Sequence, residues 1–426
     1  MTIAPFVPHV AKAVDFTVFD DLESEVRVYC RKFPVVFHRA KGAELYAADG
    51  RMFIDFFCGA AALNYGHNND FIKRRITEYL AADGLVQGLD MYTVAKRDFL
   101  TTFAETVLRP HDLDYKVQCC GPTGTDAVEA ALKLACKVTG RRGVIAFSGA
   151  YHGLSRGSLA VTGERQLRRG GTGGYDVTFV PYEDGPGGPF DSVAYIDRLL
   201  TDPSSGVDLP AAVIVEPMQM RGGVYPASGD WLRRLRELTE RYGVLLICDE
   251  IQVGCGRTGT YFCFEHARIT PDIVTVAKSV GGYGLPMSLV LLRRELDIWE
   301  PGEHSGTFQG NQLAFVAATA ACELWRQPKF RTDLAVAVRR LGRFGRELST
   351  ADFTVRGAGM ALGIDLSDAG GPGRAARVQR LAFDNGLIVE LCGRHEDVIK
   401  VLPPLNIDIP RLDRGLDVLR DALRTT

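Results

Sequence analysis

Residues 245–286 read LLICDEIQVGCGRTGTYFCFEHARITPDIVTVAKSVGGYGLP, and two apolar runs in and beside this stretch decide the fold. The runs Val244–Cys248 and Ile273–Ala277 have the length of strands and lack the polar alternation of a sheet with one solvated face. Strands buried on both faces are typical of parallel sheets covered by helices. Each run ends at a charged residue, Asp249 or Lys278. The stretch therefore predicts two central strands of an α/β sheet, each with a charged side chain at its carboxyl end.

The same pattern continues outward on both sides of this stretch. Further apolar runs of strand length are Val144–Phe147, Ala211–Val215 and Ser288–Leu292. Apolar residues at helical spacing between the runs predict helices over Asp126–Val138 and Gly229–Tyr242. Strands that alternate with helices in this way indicate βαβ units and a mostly parallel sheet.

The two ends of the chain differ from its middle. Residues 44–56 show the pattern of a hairpin turning at Asp49-Gly50, and the last hundred residues combine helices with short β-like segments. We expect both ends to pack together as a small α+β domain. The predicted division is residues 1–90 as the N-terminal part of the small domain, 91–326 as the large domain, and 327–426 as the C-terminal part of the small domain.

Composition excludes several classes of function. The chain has 426 residues and a formal net charge of −2, which argues against binding to nucleic acids or to membranes through basic patches. The sequence has no apolar run approaching the ~18 residues of a membrane span, and its N-terminus lacks the features of a signal peptide. The ten cysteines form no CxxC pair and no Cys/His cluster at zinc spacing. We therefore expect a cytoplasmic protein without a metal site.

A glycine-containing loop, Gly121–Asp126, joins the run Val117–Cys119 to the first predicted helix. Glycines let a backbone approach a ligand closely, and unpaired N–H groups at a helix start attract anions. The loop is therefore a candidate phosphate cradle in which Gly124 and Thr125 contact the ligand. It lacks the spacing of a P-loop. The alternative is a plain helix start, with Asp126 and Glu129 as a capping box.

Asp249 and Lys278 lie where open α/β sheets bind ligands, at the carboxyl ends of strands. A buried Asp249 needs a partner, which could be a protonated ring nitrogen, a metal ion, or Arg257 in a structural ion pair. A desolvated Lys278 would be nucleophilic, whereas most lysines are solvated surface charges. A phosphate cradle, a strand-end acid and a strand-end lysine are together what pyridoxal phosphate requires.

Three further residues are candidate contacts for such a ligand. Tyr151 follows the run Val144–Phe147 and could stack on a flat cofactor or be an ordinary buried tyrosine. Glu216 is another carboxylate directly after a predicted strand. Thr307 lies in the glycine-spaced loop SGTFQGN, which could contact a phosphate or be merely a turn.

At these residues the sequence resembles a known family. Residues 245–286 resemble the signature of class III pyridoxal-phosphate aminotransferases. The stretches DFFCGAAALNYGHNN, GPTGTDAVEAALKLACKVTGR and WEPGEHSGTFQGNQLAF are similar to the diaminobutyrate–2-oxoglutarate transaminases that open ectoine synthesis. The resemblance runs from about Glu23 to Pro404. It implies fold type I, with a mixed, mostly parallel seven-stranded sheet, a small domain from both termini, and a homodimer or higher oligomer with shared active sites.

The resemblance also implies roles for single residues. Lys278 would form the Schiff base with pyridoxal phosphate and move the proton, Asp249 would hold the pyridine nitrogen protonated, and Gln252 would bind the ring's 3-hydroxyl oxygen. Gly124 and Thr125 would bind the phosphate, Thr307 would join them from the neighbouring subunit, and Tyr151 would stack on the ring. Glu216 would act as a gating glutamate that pairs with a cation, and Lys400 before Pro403-Pro404 stands at the place of that cation.

One departure from the pattern concerns the substrate. The family commonly has E-P-x-Q-x-E-G-G, and this chain has Arg221 at the last acidic position of Glu216–Gly223. We therefore expect a ping-pong transamination between the terminal amine of L-2,4-diaminobutyrate and 2-oxoglutarate or glutamate, with Arg221 near the substrate. Because of Arg221, the alternatives are another ω-amine such as ornithine, or an aminomutase or epimerase. A cofactor-binding scaffold without activity and a dehydrogenase are weaker alternatives, the latter because no G-x-G-x-x-G follows a strand.

Overall fold

The structure, a computed structural model, describes residues 15–170, 175–350 and 353–426. The first 14 residues of the predicted N-terminal segment lie outside this range. The strands are β1 Phe37–Lys41, β2 Glu44–Ala47, β3 Met52–Asp55, β4 Tyr115–Cys119, β5 Gly143–Phe147, β6 Asp176–Val180, β7 Ala212–Val215, β8 Met218–Gln219, β9 Tyr225–Pro226, β10 Leu245–Asp249, β11 Ile273–Val276, β12 Leu289–Arg293, β13 Thr354–Ala358, β14 Ala361–Asp365, β15 Leu387–Ile388, β16 Glu390–Cys392 and β17 Val398–Val401. The helices are α1 Thr17–Leu22, α2 Tyr29–Lys32, α3 Cys58–Ala61, α4 Asp70–Ala81, α5 Val94–Phe103, α6 Gly124–Thr139, α7 Arg156–Ala160, α8 Ser192–Thr201, α9 Gly229–Tyr242, α10 Gln312–Arg326, α11 Pro328–Ser349, α12 Gly371–Asp384 and α13 Ile409–Thr425.

The central element is a seven-stranded sheet with the order β4-β12-β11-β10-β7-β5-β6. Strands β10, β7, β5 and β6 run parallel to one another, as do β10 and β11, while β12 is antiparallel to both β11 and β4. The predicted mixed, mostly parallel sheet is confirmed. Each of the five apolar runs that predicted a strand lies in it.

Both faces of this sheet are buried, as the apolar runs predict. Alternate residues of one strand point to opposite faces. Ala212, Ile214 and Ile247 pack in the hydrophobic cluster that contains the inner face of α6. Their neighbours Val213 and Leu246 pack in a second cluster with α5, α9 and α10. Helices on both faces of a parallel sheet make a three-layer α/β domain.

The two ends of the chain meet in one further sheet, of order β1-β2-β3-β15. Strand β15, from the C-terminal region, runs parallel to β3, with Leu387 opposite Ile54 and Ile388 opposite Asp55. A separate antiparallel sheet, β13-β14-β17-β16, carries the last strands. The predicted small α+β domain from both termini is therefore confirmed, and the boundaries near residues 90 and 326 stay a prediction. Within the described ranges, every helix is too short or too polar to cross a membrane.

Candidate active site

Asp249 is the last residue of β10 and is buried at the carboxyl edge of the sheet. One of its carboxylate oxygens, Oδ2, lies 2.6 Å from Nδ1 of the buried His152, and Oδ1 accepts the backbone N–H of Ile251 at 3.0 Å. The alternative prediction, an ion pair of Asp249 with Arg257, is wrong. That guanidinium donates instead to the carbonyl oxygens of Met360 and Pro403, at 2.9 and 2.6 Å.

His152 is a site residue that sequence reasoning missed. Its Nε2 atom is buried without a hydrogen-bond partner among the described residues. The signal was present, because His152 follows Tyr151 in the segment that leaves the carboxyl end of β5. A histidine in such a place is a candidate second contact for any acid on the adjacent strand ends.

Lys278 lies two residues after the end of β11 and lines a cavity of about 270 Å³. Burial, together with the positive charge of Lys400, lowers the pKa of Lys278 to about 8. Its backbone is left-handed, with φ +55°, a conformation that is strained for any residue other than glycine. Seven of the predicted site residues line this one cavity: Gly124, Thr125, Tyr151, Glu216, Asp249, Gln252 and Lys278.

The phosphate cradle is the start of α6, a helix of 16 residues. The helix begins at Gly124, two residues before the predicted start, because the capping carboxylate is Asp126, which accepts the backbone N–H of Thr123 at 3.1 Å. The predicted capping box of Asp126 with Glu129 is wrong. Glu129 accepts the backbone N–H of Gly157 at 2.7 Å instead.

The first residue of this helix, Gly124, has no room for a side chain. A Cβ atom on Gly124 would lie 2.9 Å from Cγ2 of Ile251, so a side chain at this position would clash. Thr125 Oγ1 lies 2.6 Å from Ser155 Oγ and 2.5 Å from Ser158 Oγ. Helix N–H groups and clustered hydroxyls together suit an anion such as a phosphate.

Glu216 is buried beside Tyr151 and holds the backbone around it. Its Oε1 accepts the N–H of Tyr151 at 2.9 Å, and its Oε2 accepts that of Met220 at 3.3 Å. Burial raises the pKa of Glu216 to about 7. The predicted pair of Glu216 with Lys400 is not formed, because Lys400 Nζ lies 2.9 Å from Oε2 of Glu390.

Gln252 and the residue after Lys278 hold a strained turn against the cavity. Gln252 Nε2 donates to the carbonyl oxygen of Ala60 at 3.1 Å, and Ser279 Oγ donates to that of Ala61 at 2.8 Å. The turn is α3, which is left-handed throughout, with φ between +55° and +66° at Cys58, Ala60 and Ala61. Left-handed backbone at non-glycine residues is typical of functional sites.

Three predicted residues lie outside the cavity within this chain. Arg221 lies at its border, with its guanidinium carbon 5.3 Å from the centre of the Tyr151 ring. Lys400 is buried in the pair with Glu390. Thr307 lines a separate depression with Asp126 and His304.

Comparison with known proteins identifies the family. The sequence profile of the family described as Aminotransferase class-III matches residues 26–423. This chain belongs to that family. It is similar to the diaminobutyrate–2-oxoglutarate transaminase of Streptomyces coelicolor, with 48% identity over 97% of this chain and 98% of the relative. The enzyme of the same name from Bordetella parapertussis is also 48% identical, over 96% of this chain and 95% of the relative.

Solved structures agree with the class III assignment. The ornithine aminotransferase of Toxoplasma gondii, whose structure reveals partial occupancy of pyridoxal phosphate at the active site, has a TM-score of 0.81 to this chain. The two are 25% identical, and the similarity covers 96% of this chain and 93% of that one. The chain is therefore an aminotransferase of fold type I, its cofactor is pyridoxal 5′-phosphate, and its substrates are an amino donor and a 2-oxo acid.

The residues that line the cavity of Lys278 fit this cofactor. The start of α6 offers N–H groups and hydroxyls to a phosphate, the Tyr151 ring borders the cavity, and Gln252 reaches it. Asp249 supplies a buried carboxylate for a ring N–H, and Lys278 supplies an amine. A cavity with an anion-binding end, the Asp249 carboxylate and the Lys278 amine has the donor set that pyridoxal phosphate needs.

Proposed function

We propose that this enzyme transfers the terminal amino group of L-2,4-diaminobutyrate to 2-oxoglutarate, giving the 4-aldehyde and glutamate, by a reversible ping-pong reaction. The observation that carries the proposal is the 48% identity, over nearly the full length of both chains, to transaminases of that name. A role in ectoine synthesis is part of this proposal.

In this reaction the bound cofactor withdraws electrons from the carbon that carries the amine. Lys278 Nζ takes up and returns the proton at that carbon, a role that suits an amine whose pKa is lowered to about 8. The Asp249 carboxylate, fixed by His152 and the Ile251 N–H, holds a proton on the ring nitrogen of the cofactor. Gly124 and Thr125 would bind its phosphate, Gln252 would bind its 3-hydroxyl oxygen, and Tyr151 would stack on its ring. Glu216 keeps the Tyr151 backbone in place.

The test is a half-reaction. Purified enzyme with pyridoxal phosphate is mixed with L-2,4-diaminobutyrate and no 2-oxo acid. We expect the visible absorption of the lysine-bound cofactor to disappear, and to return with formation of glutamate when 2-oxoglutarate is added. No spectral change at high enzyme concentration would contradict the proposed donor.

The second candidate donor is ornithine. The structural similarity to an ornithine aminotransferase favours it, and so does Arg221 in place of an acid. The same spectral test with L-ornithine separates the two donors. Chiral analysis of the recovered amino acid tests the aminomutase and epimerase alternatives.

We also propose that the enzyme is a homodimer that shares its active sites. Gln87 Nε2 donates to the carbonyl oxygen of Thr307 at 3.1 Å, so the loop with Thr307 adjoins the segment before α5. Large apolar side chains are exposed on both and at the start of α5, and these are Leu85, Val86, Leu89, Met91, Tyr92, Val94 and Phe308. An apolar patch of this kind is typical of a protein interface. A second copy on this patch would bring Thr307 to the neighbouring phosphate cradle.

Complementation tests the shared site. If Thr307 acts in the partner's site, mixed dimers of Lys278→Ala and Thr307→Glu subunits have one intact site, and activity returns on mixing. If Thr307 acts in its own site, the mixture stays inactive. Light scattering gives the mass of the assembly.

All ten cysteines are free thiols, which supports a reducing compartment, and we propose that the protein resides in the cytoplasm.

A further inference from the structure

An exposed ion pair lies at the border of the cofactor cavity. Arg221 Nε is 2.6 Å from Oε2 of Glu164, and its NH2 atom is 3.1 Å from Oε1. Both side chains keep contact with solvent, with exposed fractions of 42% and 37%. An ion pair this exposed contributes little net stability, because water competes for both partners. A ligand that offers the same charges can therefore replace it.

The Arg221–Glu164 pair lies between the cofactor cavity and a second, larger cleft. On one side the guanidinium lies over the ring of Tyr151, which lines the cavity of Lys278. On the other side Arg221 and Glu164 line a cleft of about 890 Å³ between the large and small domains. The pair therefore lies between this cleft and the Tyr151 wall of the cavity that Lys278 lines.

The second cation near the site is held differently. Lys400 and Glu390 are buried, with exposed fractions of 2% and 8%. The Tyr29 hydroxyl donates to Glu390 at 3.3 Å and closes the pair further. Separating a buried pair leaves an uncompensated charge. Of these two cations, Arg221 is the one that a substrate can reach.

We propose that Arg221 and Glu164 together bind the α-amino acid head group of the donor. The α-carboxylate takes the place of Glu164 on Arg221, and the α-ammonium pairs with the Glu164 carboxylate so released. A zwitterion suits this arrangement because it supplies both charges at once, so neither protein group is left without a partner. This inference rests on the proposed function, in which the terminal amine of the same donor reacts at Lys278.

Three donors separate the two charges. Compared with L-2,4-diaminobutyrate, 4-aminobutyrate lacks only the α-ammonium, and 1,3-diaminopropane lacks only the α-carboxylate. If the ion pair reads the head group, each single deletion affects one residue of the pair. The measured quantity is the ratio of kcat/KM between two donors, so a general loss of activity cancels.

In Glu164→Gln, we expect the preference for L-2,4-diaminobutyrate over 4-aminobutyrate to fall about tenfold, because a charge-assisted hydrogen bond to the ammonium is lost. The preference for 4-aminobutyrate over 1,3-diaminopropane should not fall. In Arg221→Gln, we expect the preference for L-2,4-diaminobutyrate over 1,3-diaminopropane to fall about tenfold, with partial recovery in Arg221→Lys. Retained visible absorption of the bound cofactor shows that the variants fold.

The matched control is Glu105→Gln, which removes an exposed pair with Arg326 of similar geometry, at 2.8 Å and with exposed fractions of 44% and 46%. It should leave both ratios unchanged. Ratios that stay within twofold in Glu164→Gln and Arg221→Gln would overturn the inference. So would an equal loss for all three donors, which would mean that the pair only positions Tyr151.

The proposed function can fail separately. If the wild-type enzyme does not convert L-2,4-diaminobutyrate but does convert L-ornithine, the donor is wrong and the head-group site is still testable. The matched set is then L-ornithine, 5-aminopentanoate and 1,4-diaminobutane, with the same ratios expected to change.

Discussion

The cofactor cavity and the wall of the domain cleft are both rich in charge, but they are built in opposite ways. In the cavity, Asp249, Glu216 and Gly124 lie at strand ends or a helix start, and the two carboxylates accept backbone N–H groups. In the wall, Arg221 pairs with Glu164 from a distant segment, and Glu390 pairs with Lys400 on the neighbouring strand. The topology of the sheet therefore fixes the cavity, whereas single side chains decide the wall. Changes in the wall should alter substrate choice without loss of the cofactor chemistry.

The largest expected effect is in the cavity. Lys278→Ala should lower the rate of transamination by about 10⁴-fold, because the amine that moves the proton is lost. The measurement is glutamate formed from 2-oxoglutarate. Lys329→Ala, at a lysine whose side chain is 84% exposed, is the control and should keep full activity. A Lys278→Ala enzyme within tenfold of the wild type would place the chemistry elsewhere.

The next effect is on stability and belongs to the wall. Glu390→Gln should lower the free energy of unfolding by about 3–5 kcal/mol, because the charge of Lys400 stays buried without its partner. Adding Lys400→Met to the variant should recover most of that loss, since both charges are then gone. Urea unfolding of the three proteins gives the values. A loss below about 1 kcal/mol would mean that the pair is solvated.

A smaller effect separates two contacts within the cavity. Asp249→Asn should lower kcat by about 10²-fold, because the neutral amide does not hold a proton on the ring nitrogen. His152→Asn should lower kcat by about tenfold, since His152 acts only through Asp249. Equal losses in the two variants would show that the histidine itself takes part in the reaction.

The smallest effect is a pH dependence at Glu250. This buried carboxylate accepts the N–H groups of Cys263 and Phe264, both at 2.9 Å, and burial raises its pKa to about 8. The folded protein therefore binds the proton more tightly than the unfolded chain. The stabilisation that the protonated Glu250 carboxyl provides is complete below the unfolded-state pKa of 4.5 and is lost as the pH rises through the folded-state pKa of about 8.

Glu250→Gln cannot ionise, so its stability relative to the wild type should increase by about 1–2 kcal/mol between pH ~5 and pH ~6.5. Urea unfolding at several pH values, with the cofactor present throughout, measures this difference. A difference that stays constant with pH would show that the two N–H groups keep Glu250 ionised even at the lower pH.

The sequence predicted the cavity better than the wall, for a physical reason. Asp249 and Lys278 directly follow apolar runs, and the carboxyl ends of parallel strands share one edge, so local pattern was enough to bring them together. The same logic carries to Tyr151 and Glu216. The start of α6 was predicted two residues late, because several nearby residues can cap a helix and sequence alone does not choose among them.

Pairings between side chains of different elements were beyond this reasoning. Glu129 has its hydrogen-bond partners in α7, Lys400 pairs with Glu390 on a neighbouring strand, and His152 reaches Asp249 across the sheet edge. Each pairing depends on side-chain direction in the folded state. The left-handed turn α3 was missed as well, since three of its four residues, Cys58, Ala60 and Ala61, carry no signal for positive φ.

The antiparallel strand β12 has a consequence for the time course of synthesis. β4 is an edge strand of the large sheet, and its one neighbour there is β12, so residues 115–119 have no strand to pair with until about 170 further residues have been translated. At roughly 5–20 residues per second, that interval is about 10–30 s. During it the nascent chain carries an open strand followed by the glycine loop of the phosphate cradle. The anion-binding end of the active site therefore gains its strand partner only after Lys278 has been translated.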